Sequence, residues 1–427
     1  YHDSVTGYRT FEWYRMEADR ILEENTGKKY CVWYCDFKNF KYINDVHGYD
    51  EGNRILKYLA DWLEDNIRKG EAFARMTADN FSVLLWYDEY RELEERFYAL
   101  AKDMSEYAQS AGNRYKLELA VGVYLLDLNK EILSMEEMMN RANMAQKSVK
   151  RQVGSKMAVY SEEMRNKVLS DMTMEAEMKE AMEKGEFTLY LQPQINLKPN
   201  EHENMKAEVL VRWIRDNRMY ALPGDFIELF ERNGMIVELD FYIFQRACQY
   251  IRSIRSQYRT PVCLSVNVSR VTMLQPGFVE KYCSMKDAYQ IERGEIELEF
   301  TENIAVENHN LFSSIIEKLN ENGFLCAMDD FGTGMSSLNV LKSLPIDVLK
   351  LDRLFFTPTG DENRGMTVIE SVFDMAQKLG ITTVAEGIEH EDQVLTLKNL
   401  GCDYIQGFVY SRPITVEEFV KRYLEEK

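Results

Sequence analysis

The sequence predicts two domains of mixed class, an α+β unit followed by an α/β unit built as a (β/α)8 barrel, and three observations predict it. At 427 residues the chain exceeds the size at which one hydrophobic core keeps growing. Near residue 187 its pattern changes from mixed strands and helices to a repeated strand, helix alternation. Eight strand-like runs then fit into about 240 residues, the length typical of such a barrel.

The first domain opens with a buried strand at 30–37 (YCVWYCDF), after which Ile55, Leu56, Leu59, Trp62 and Leu63 recur at helical spacing. Two short runs, EAFARM and FSVLLWY, flank Thr77, Ala78, Asp79 and Asn80 and read as a hairpin. A polar helix near 88–111, a strand near 116–125, a helix near 135–151 and a strand near 157–160 complete the unit. The run from Glu162 to Lys184 is charged and free of glycine until Gly185, which predicts a helical linker. The expected division is therefore 1–161, a linker at 162–184 and a barrel at 185–427. Barrel strands are expected near 187–194, 205–212, 262–267, 295–300, 324–329, 347–351, 381–385 and 404–406.

Composition narrows the function classes. Hydrophobic residues at 45% and charged residues at 29% are a globular balance. No apolar run approaches a bilayer span, and no basic-then-apolar stretch opens the chain. The seven cysteines are scattered, with no C-x-x-C spacing even at Cys31 and Cys35, which fits a reducing, cytoplasmic setting. Only five dispersed histidines occur, so a metal here is expected to be held by oxygen rather than by imidazole and thiolate. A net charge of -19 argues against a DNA or RNA duplex as partner, since that role needs a basic surface. It permits a small phosphorylated ligand gathered by bound cations.

In such barrels the C-terminal ends of the strands share one mouth, where active sites sit. Taken in turn, these ends carry Gln192, Glu208 with Arg212, Asn267, Glu299 with Glu302, Asp329 with Asp330, Lys350 with Asp352, Glu386, and Gln406. A lone acid at a strand end is usually a helix cap or a solvated loop residue, but a polar group at every end is a different pattern. Converging carboxylates repel unless cations sit among them, and oxygen ligands point to hard divalent ions such as Mg²⁺ or Mn²⁺. Two ions sharing a carboxylate suit in-line attack on a phosphodiester.

The strings AEVLVRW (207–213), SVNVS (265–269), ELEFTE (297–302), MDDFGTG (328–334), LKLD (349–352), AEGIE (385–389) and IQGF (405–408) run in the order and spacing of the EAL domain. The whole second domain resembles this family of cyclic di-GMP phosphodiesterases and its TIM-like barrel. The resemblance implies Glu208, Asn267, Glu299 and Asp329 as ligands of one ion, and Asp329, Asp330 and Glu386 as ligands of a second. It further implies that Lys350 orients or helps deprotonate the attacking water, that Asp352 holds this lysine, and that Glu302 anchors the Asp329–Asp330 loop. Arg212 would pair with a substrate phosphate, a use suited to its forked guanidinium. Gln192 and Gln406 would line the pocket.

Two departures from the family pattern are visible. Val209 replaces the alanine of the name-giving motif and is expected to face away from the mouth, as a packing change. Met335 stands where an aromatic residue is common, and it removes no ligand. The DFG inside MDDFGTG does not mark a protein kinase, because neither a V-A-I-K strand nor an H-R-D loop occurs.

The first domain, opening on DSVTGYRT and continuing through CDFKNFKYINDVHGYDEGN, resembles the GGDEF domain, the diguanylate cyclase fold. The resemblance implies a nucleotide site at Asp36, Asn44 and Asp79, with Lys147 and Arg151 as a triphosphate-binding pair. The signature itself has become TADNF at 77–81, and Asn53 stands where an aspartate usually reads guanine. Glycines at the signature supply positive φ and a close approach of backbone to phosphate, which threonine and alanine supply poorly. A degenerate domain is expected, one that makes no cyclic di-GMP and either holds GTP as a regulator or is a folded relic acting as a dimer spacer.

The expected function is hydrolysis of cyclic di-GMP to linear pGpG. The alternative is the same barrel as a receptor, holding cyclic di-GMP and signalling to a protein partner without turnover. A homodimer is expected from the family resemblance. Because the chain begins at the edge of the first domain, an upstream sensor or membrane segment is expected before it.

Overall fold

The computed structural model describes residues 2–25, 27–110, 115–127, 133–198, 204–302, 304, 309–332, 341, 344–356 and 362–425. Thr333, Gly334 and Met335 of the expected loop lie outside the described residues. The chain divides into two compact units, Tyr1–Met172 and Thr173–Lys427.

The first unit holds β1 (Lys29–Phe37), β2 (Ala72–Arg75), β3 (Phe81–Tyr87), β4 (Leu119–Leu125) and β5 (Lys156–Val159), in the order β2-β3-β1-β4-β5. Both faces of the central β1 are apolar, and each is covered. Cys31, Trp33 and Cys35 pack with Ile55, Leu59 and Phe97, while Tyr30 and Val32 pack with Tyr14 and Met138. The helix Met135–Val149 starts at a Ser134–Glu137 capping box. It lies so close to β4 that a Cβ at Gly122 would be 1.8 Å from Ala142 O. The hairpin joining β2 to β3 turns where expected, with Met76 N donating to Asn80 O at 2.8 Å. Strand β4 begins at Leu119, three residues later than its apolar pattern suggests.

The charged run forms one helix, Glu162–Glu183, whose last turns supply Met174, Met178 and Ala181 to the second unit's core. There the strands are β6 (Phe187–Asn196), β7 (Met205–Arg215), β8 (Arg218–Ala221), β9 (Val262–Asn267), β10 (Ile296–Thr301), β11 (Leu325–Phe331), β12 (Val348–Leu351), β13 (Thr382–Ala385), β14 (Tyr404–Ile405) and β15 (Ile414–Thr415). Eight of them, β6, β7 and β9 to β14, close into a barrel through a β6–β7 pairing. Strands β8 and β15 were not expected. Asp216 and Asn217, both at positive φ, form the tight turn that folds β8 back on β7.

One expectation needs correction. Strand β6 runs antiparallel to both its barrel neighbours, β7 and β14. Only Leu197 to Asn204 separate β6 from β7, too few residues for the crossover that a parallel pair requires. Gln192 therefore sits within an oppositely directed strand, paired with Glu208, rather than at a C-terminal mouth end. Glu208 is likewise inside its strand, because β7 continues to Arg215.

Alternation along the strands sorts the side chains. In β10, Ile296, Leu298 and Phe300 join the core outside the barrel, while Glu297 and Glu299 reach partners on strands across it. Val209 is buried in the same outer core, so the Ala-to-Val departure is a packing change. Among the described residues no helix is long and apolar enough to cross a membrane.

Candidate active site

The inward-facing side chains near the barrel mouth meet one another. Glu208 Oε1 accepts from Asn267 Nδ2 at 2.8 Å, and its other oxygen accepts from Gln406 Nε2. Gln406 also donates to Gln192 Oε1 at 3.2 Å, while its own oxygen accepts from Gln194 Nε2 at 3.0 Å. Gln194 was not anticipated; its signal was its period-two relation to Gln192 on the same strand.

Lys350 is the centre of the arrangement and is fully buried. Its Nζ lies 2.7 Å from Glu386 Oε1, 2.8 Å from Glu299 Oε2, 3.3 Å from Asp329 Oδ1 and 3.6 Å from Glu208 Oε2. Burial alone would drive this ammonium to lose its proton, but Asp329, Glu208, Glu299 and Glu386 outweigh it and hold the pKa well above the usual lysine value. Burial pushes the Glu299 carboxyl well above the carboxylate range; Lys350 opposes the shift, and Glu208 and Asp329 add to it. Burial raises Glu386 to about 8, again against the pull of Lys350.

One ammonium among four acids leaves the cluster acidic, and among the described residues Glu299 Oε1 is buried without a hydrogen-bond partner. An orphan carboxylate oxygen in an all-oxygen donor set fits a hard divalent cation. Among the described residues, no three acidic, imidazole or thiol side chains are already arranged as the shell of an ion. The Lys350 ammonium holds the centre they surround.

Loops complete the mouth. Asp330 takes φ +56, is half-buried, and has its carboxyl raised by burial and by Asp329. Glu302 Oε2 accepts from Gly332 N at 3.3 Å, two residues past Asp330. No side chain fits at Gly387, where a Cβ would be 2.6 Å from Arg353 Cβ, or at Gly407, where it would be 2.0 Å from Ile388 O. A cavity of about 300 Å³ opens here, lined by Gln192, Glu208, Asp352, Arg353, Glu386 and Phe408 among others. Arg212 is not in that lining; its Nη1 donates to Val211 O at 2.8 Å and its guanidinium stands 5.7 Å from the Tyr190 ring. The expectation that Asp352 holds Lys350 is not met. Asp352 accepts from Leu354 N at 2.8 Å, starting the short helical turn Arg353–Phe356, and the lysine's ion pairs are with the other four acids.

In the first unit Asp36 and Asp79 come together. Burial and the neighbouring Asp36 push the Asp79 carboxyl up to about 7. Asp36 Oδ2 accepts from Gln146 Nε2 at 3.2 Å and pairs with Lys150. The expected pair Lys147 and Arg151 is exposed. Asn44 lies against Gly52, where a Cβ would be 1.9 Å from its Oδ1, while Asn53 is exposed. Ala78 takes φ +52 in the hairpin, a conformation that glycine adopts without penalty and alanine does not. Lys38, also unanticipated, is buried and donates to Gln152 O at 2.5 Å and to Gly154 O.

The chain matches the EAL domain family over residues 175–413. It matches the family described as diguanylate cyclase, GGDEF domain over residues 1–156. The chain is a tandem GGDEF–EAL protein. It is 30% identical to the Pseudomonas aeruginosa protein named cyclic di-GMP phosphodiesterase NbdA, over 99% of this chain and 54% of that one. To the bifunctional diguanylate cyclase/cyclic di-GMP phosphodiesterase MucR of the same organism it is 27% identical, over 98% of this chain and 61% of that one. It thus spans little more than half the length of these relatives. The solved MucR phosphodiesterase, in complex with cyclic di-GMP, is similar with a TM-score of 0.53 at 29% identity, over 58% of this chain and 99% of that one. A Vibrio cholerae LapD structure spanning both domains shares the fold over 96% of each chain, with a TM-score of 0.54 at 19% identity.

Proposed function

We propose that the second unit hydrolyses cyclic di-GMP to linear pGpG. The observation that carries this reading is the convergence of Glu208, Glu299, Asp329 and Glu386 on one buried lysine at the barrel mouth. The relative named cyclic di-GMP phosphodiesterase NbdA and the MucR complex with cyclic di-GMP support the nucleotide. Glu208, Asn267, Glu299 and Asp329 would hold one Mg²⁺ or Mn²⁺, and Asp329, Asp330 and Glu386 a second. Such ions, when bound, lower the pKa of an attacking water and offset the phosphate charge.

The protein's own groups do the rest. Lys350, kept charged by its acidic neighbours, donates hydrogen bonds and so orients the water rather than serving as the base. The glutamine chain fixes Glu208 by occupying one of its oxygens, leaving the carboxylate a single orientation. Arg212, on the same strand face as Glu208 though outside the cavity lining, would turn from Val211 O to pair with a phosphate. The test is chromatographic detection of pGpG from cyclic di-GMP with Mg²⁺ or Mn²⁺. Tight binding of cyclic di-GMP with no pGpG under either metal would replace the enzyme by the receptor reading.

The first unit, in this proposal, makes no cyclic di-GMP and holds GTP as a regulator of the barrel, in a homodimer. The strained Ala78 and the Lys150–Asp36 pair support the loss of cyclase chemistry. Phosphodiesterase rate measured against GTP concentration tests the regulation; a flat response to millimolar GTP leaves the unit a folded relic.

A further inference from the structure

One layer beneath the acidic mouth, the barrel interior contains a second ion pair that is not part of the mouth's own network. Lys206 Nζ on β7 donates to Glu297 Oε2 on β10 at 2.9 Å, with side-chain exposures of 11% and 1%. Strand β9 lies between these two strands in the sheet, so the pair spans it inside the barrel. The Tyr404 ring on β14 stands 5.0 Å from the same ammonium. Each partner lies two residues before an acid of the mouth on its own strand and the same face: Lys206 before Glu208, Glu297 before Glu299.

We propose that Lys206 and Glu297 are positioning residues, a cross-brace that sets the separation of Glu208 and Glu299 and thereby tunes the site for a divalent cation. The inference rests on the phosphodiesterase reading, in which those two acids share the first ion. A cation site tolerates errors of only about half an ångström in its ligands. Strands β7 and β10 are not hydrogen-bonded to each other, so the spacing of their carboxylates depends on β9 and on contacts inside the barrel. The brace is the direct charged link between them at that level. Ser265 of β9, in register with both Glu208 and Glu297, places a small side chain where the brace passes.

The test uses the full chain and Mn²⁺ alone, followed by calorimetry, for the wild type, Lys206→Met and Glu297→Gln, with a thermal melt of each. Lys206→Met should weaken Mn²⁺ binding about 10- to 100-fold, the range for residues that support metal ligands from behind. Glu297→Gln keeps an acceptor for Lys206 and should weaken it less. At saturating Mn²⁺, kcat should fall in both while the KM for cyclic di-GMP stays within about threefold. If Lys206→Met does not fold, Glu297→Gln decides alone. Folded variants with wild-type Mn²⁺ affinity overturn the brace while leaving the phosphodiesterase reading intact. A wild type that neither binds Mn²⁺ nor forms pGpG overturns both.

Discussion

Replacing Lys350 by methionine, similar in length but uncharged, asks the most of the proposed site. The ammonium lies 2.7 to 3.6 Å from four carboxylate oxygens. At an effective dielectric constant of about 20, each contact contributes roughly 5 kcal/mol of gross attraction when its acid is ionised. Those terms cannot simply be added as stability, because the same acids repel one another and the burial of every charge opposes them. Removing one partner of a buried charge cluster costs about 3–5 kcal/mol net. For a unit of this size that is a fall of roughly 6–20 °C in melting temperature. The fall should appear in chelator and shrink when Mn²⁺ is added, since the metal then supplies the positive charge that the lysine gave. Turnover should stay low even with metal, with little change in nucleotide affinity measured in Ca²⁺. Differential scanning fluorimetry with and without Mn²⁺ reads the first effect. A variant that melts within 2 °C of the wild type in chelator, and gains no more from Mn²⁺ than the wild type does, would refute the counter-ion argument.

Glu208→Ala and Asp329→Ala should each lower turnover by more than about 100-fold, the upper end of what merely supporting residues cost; full activity in both sinks the two-ion assignment. The metal-free protein should lose stability as pH rises. Folded Glu386 keeps its proton to about 8 whereas its ordinary value is 4.5, so the unfolded chain holds fewer protons between those values and stability falls across that window, by at most about 1.4 kcal/mol per pH unit for this group. Glu386→Gln should flatten the slope in melts at pH 5, 6.5 and 8, and an unchanged slope counts against the assignment. In the first unit, Asp79→Asn should raise stability at pH 8 by about 1–2 kcal/mol, because burial and the neighbouring Asp36 both disfavour the charged Asp79 there. No gain in a denaturant melt at that pH means that the two carboxylates do not share a charge problem.

The barrel and its mouth were legible because strand alternation is strict. Glu-Leu-Glu in β10 and Lys-Ala-Glu in β7 place charged residues on one face and apolar residues on the other, so of the residues nominated strand by strand Glu208, Glu299, Asp329 and Glu386 meet Lys350, and Asn267 and Gln406 meet Glu208. The direction of β6 was misread although the information was present: the segment before β7 is too short for a crossover. Strands β8 and β15, at four and two residues, are too short for a periodic signal. Asp352 was misassigned for a different reason. It follows Lys350 by two residues, which places it on the same face of an extended strand, but β12 ends at Leu351 and the chain turns away there.

The basic residues at the end of the helix Met135–Val149 in the first unit show how far spacing goes without phase. Lys147 and Arg151 are four apart across the C-terminal end of this helix, as are Gln146 and Lys150, so spacing alone cannot choose between the pairs. The buried face can. Met135, Met138, Met139, Ala142, Ala145 and Val149 mark the side of the helix that packs on the sheet, and Gln146 is buried within that stripe. A polar residue in an apolar stripe needs a partner, and Asp36 at the end of β1 provides it. Lys150 follows Gln146 by one turn and, though itself exposed, reaches the same carboxylate, whereas Lys147 is rotated about 100° away from Gln146. The cation nearest the two aspartates is therefore part of the chain. For GTP with its own metal to enter this site, Lys150 must first leave Asp36, so the GTP regulation proposed above should strengthen in Lys150→Ala. Unchanged GTP binding in that variant, measured calorimetrically with Mg²⁺, would show that the lysine does not compete.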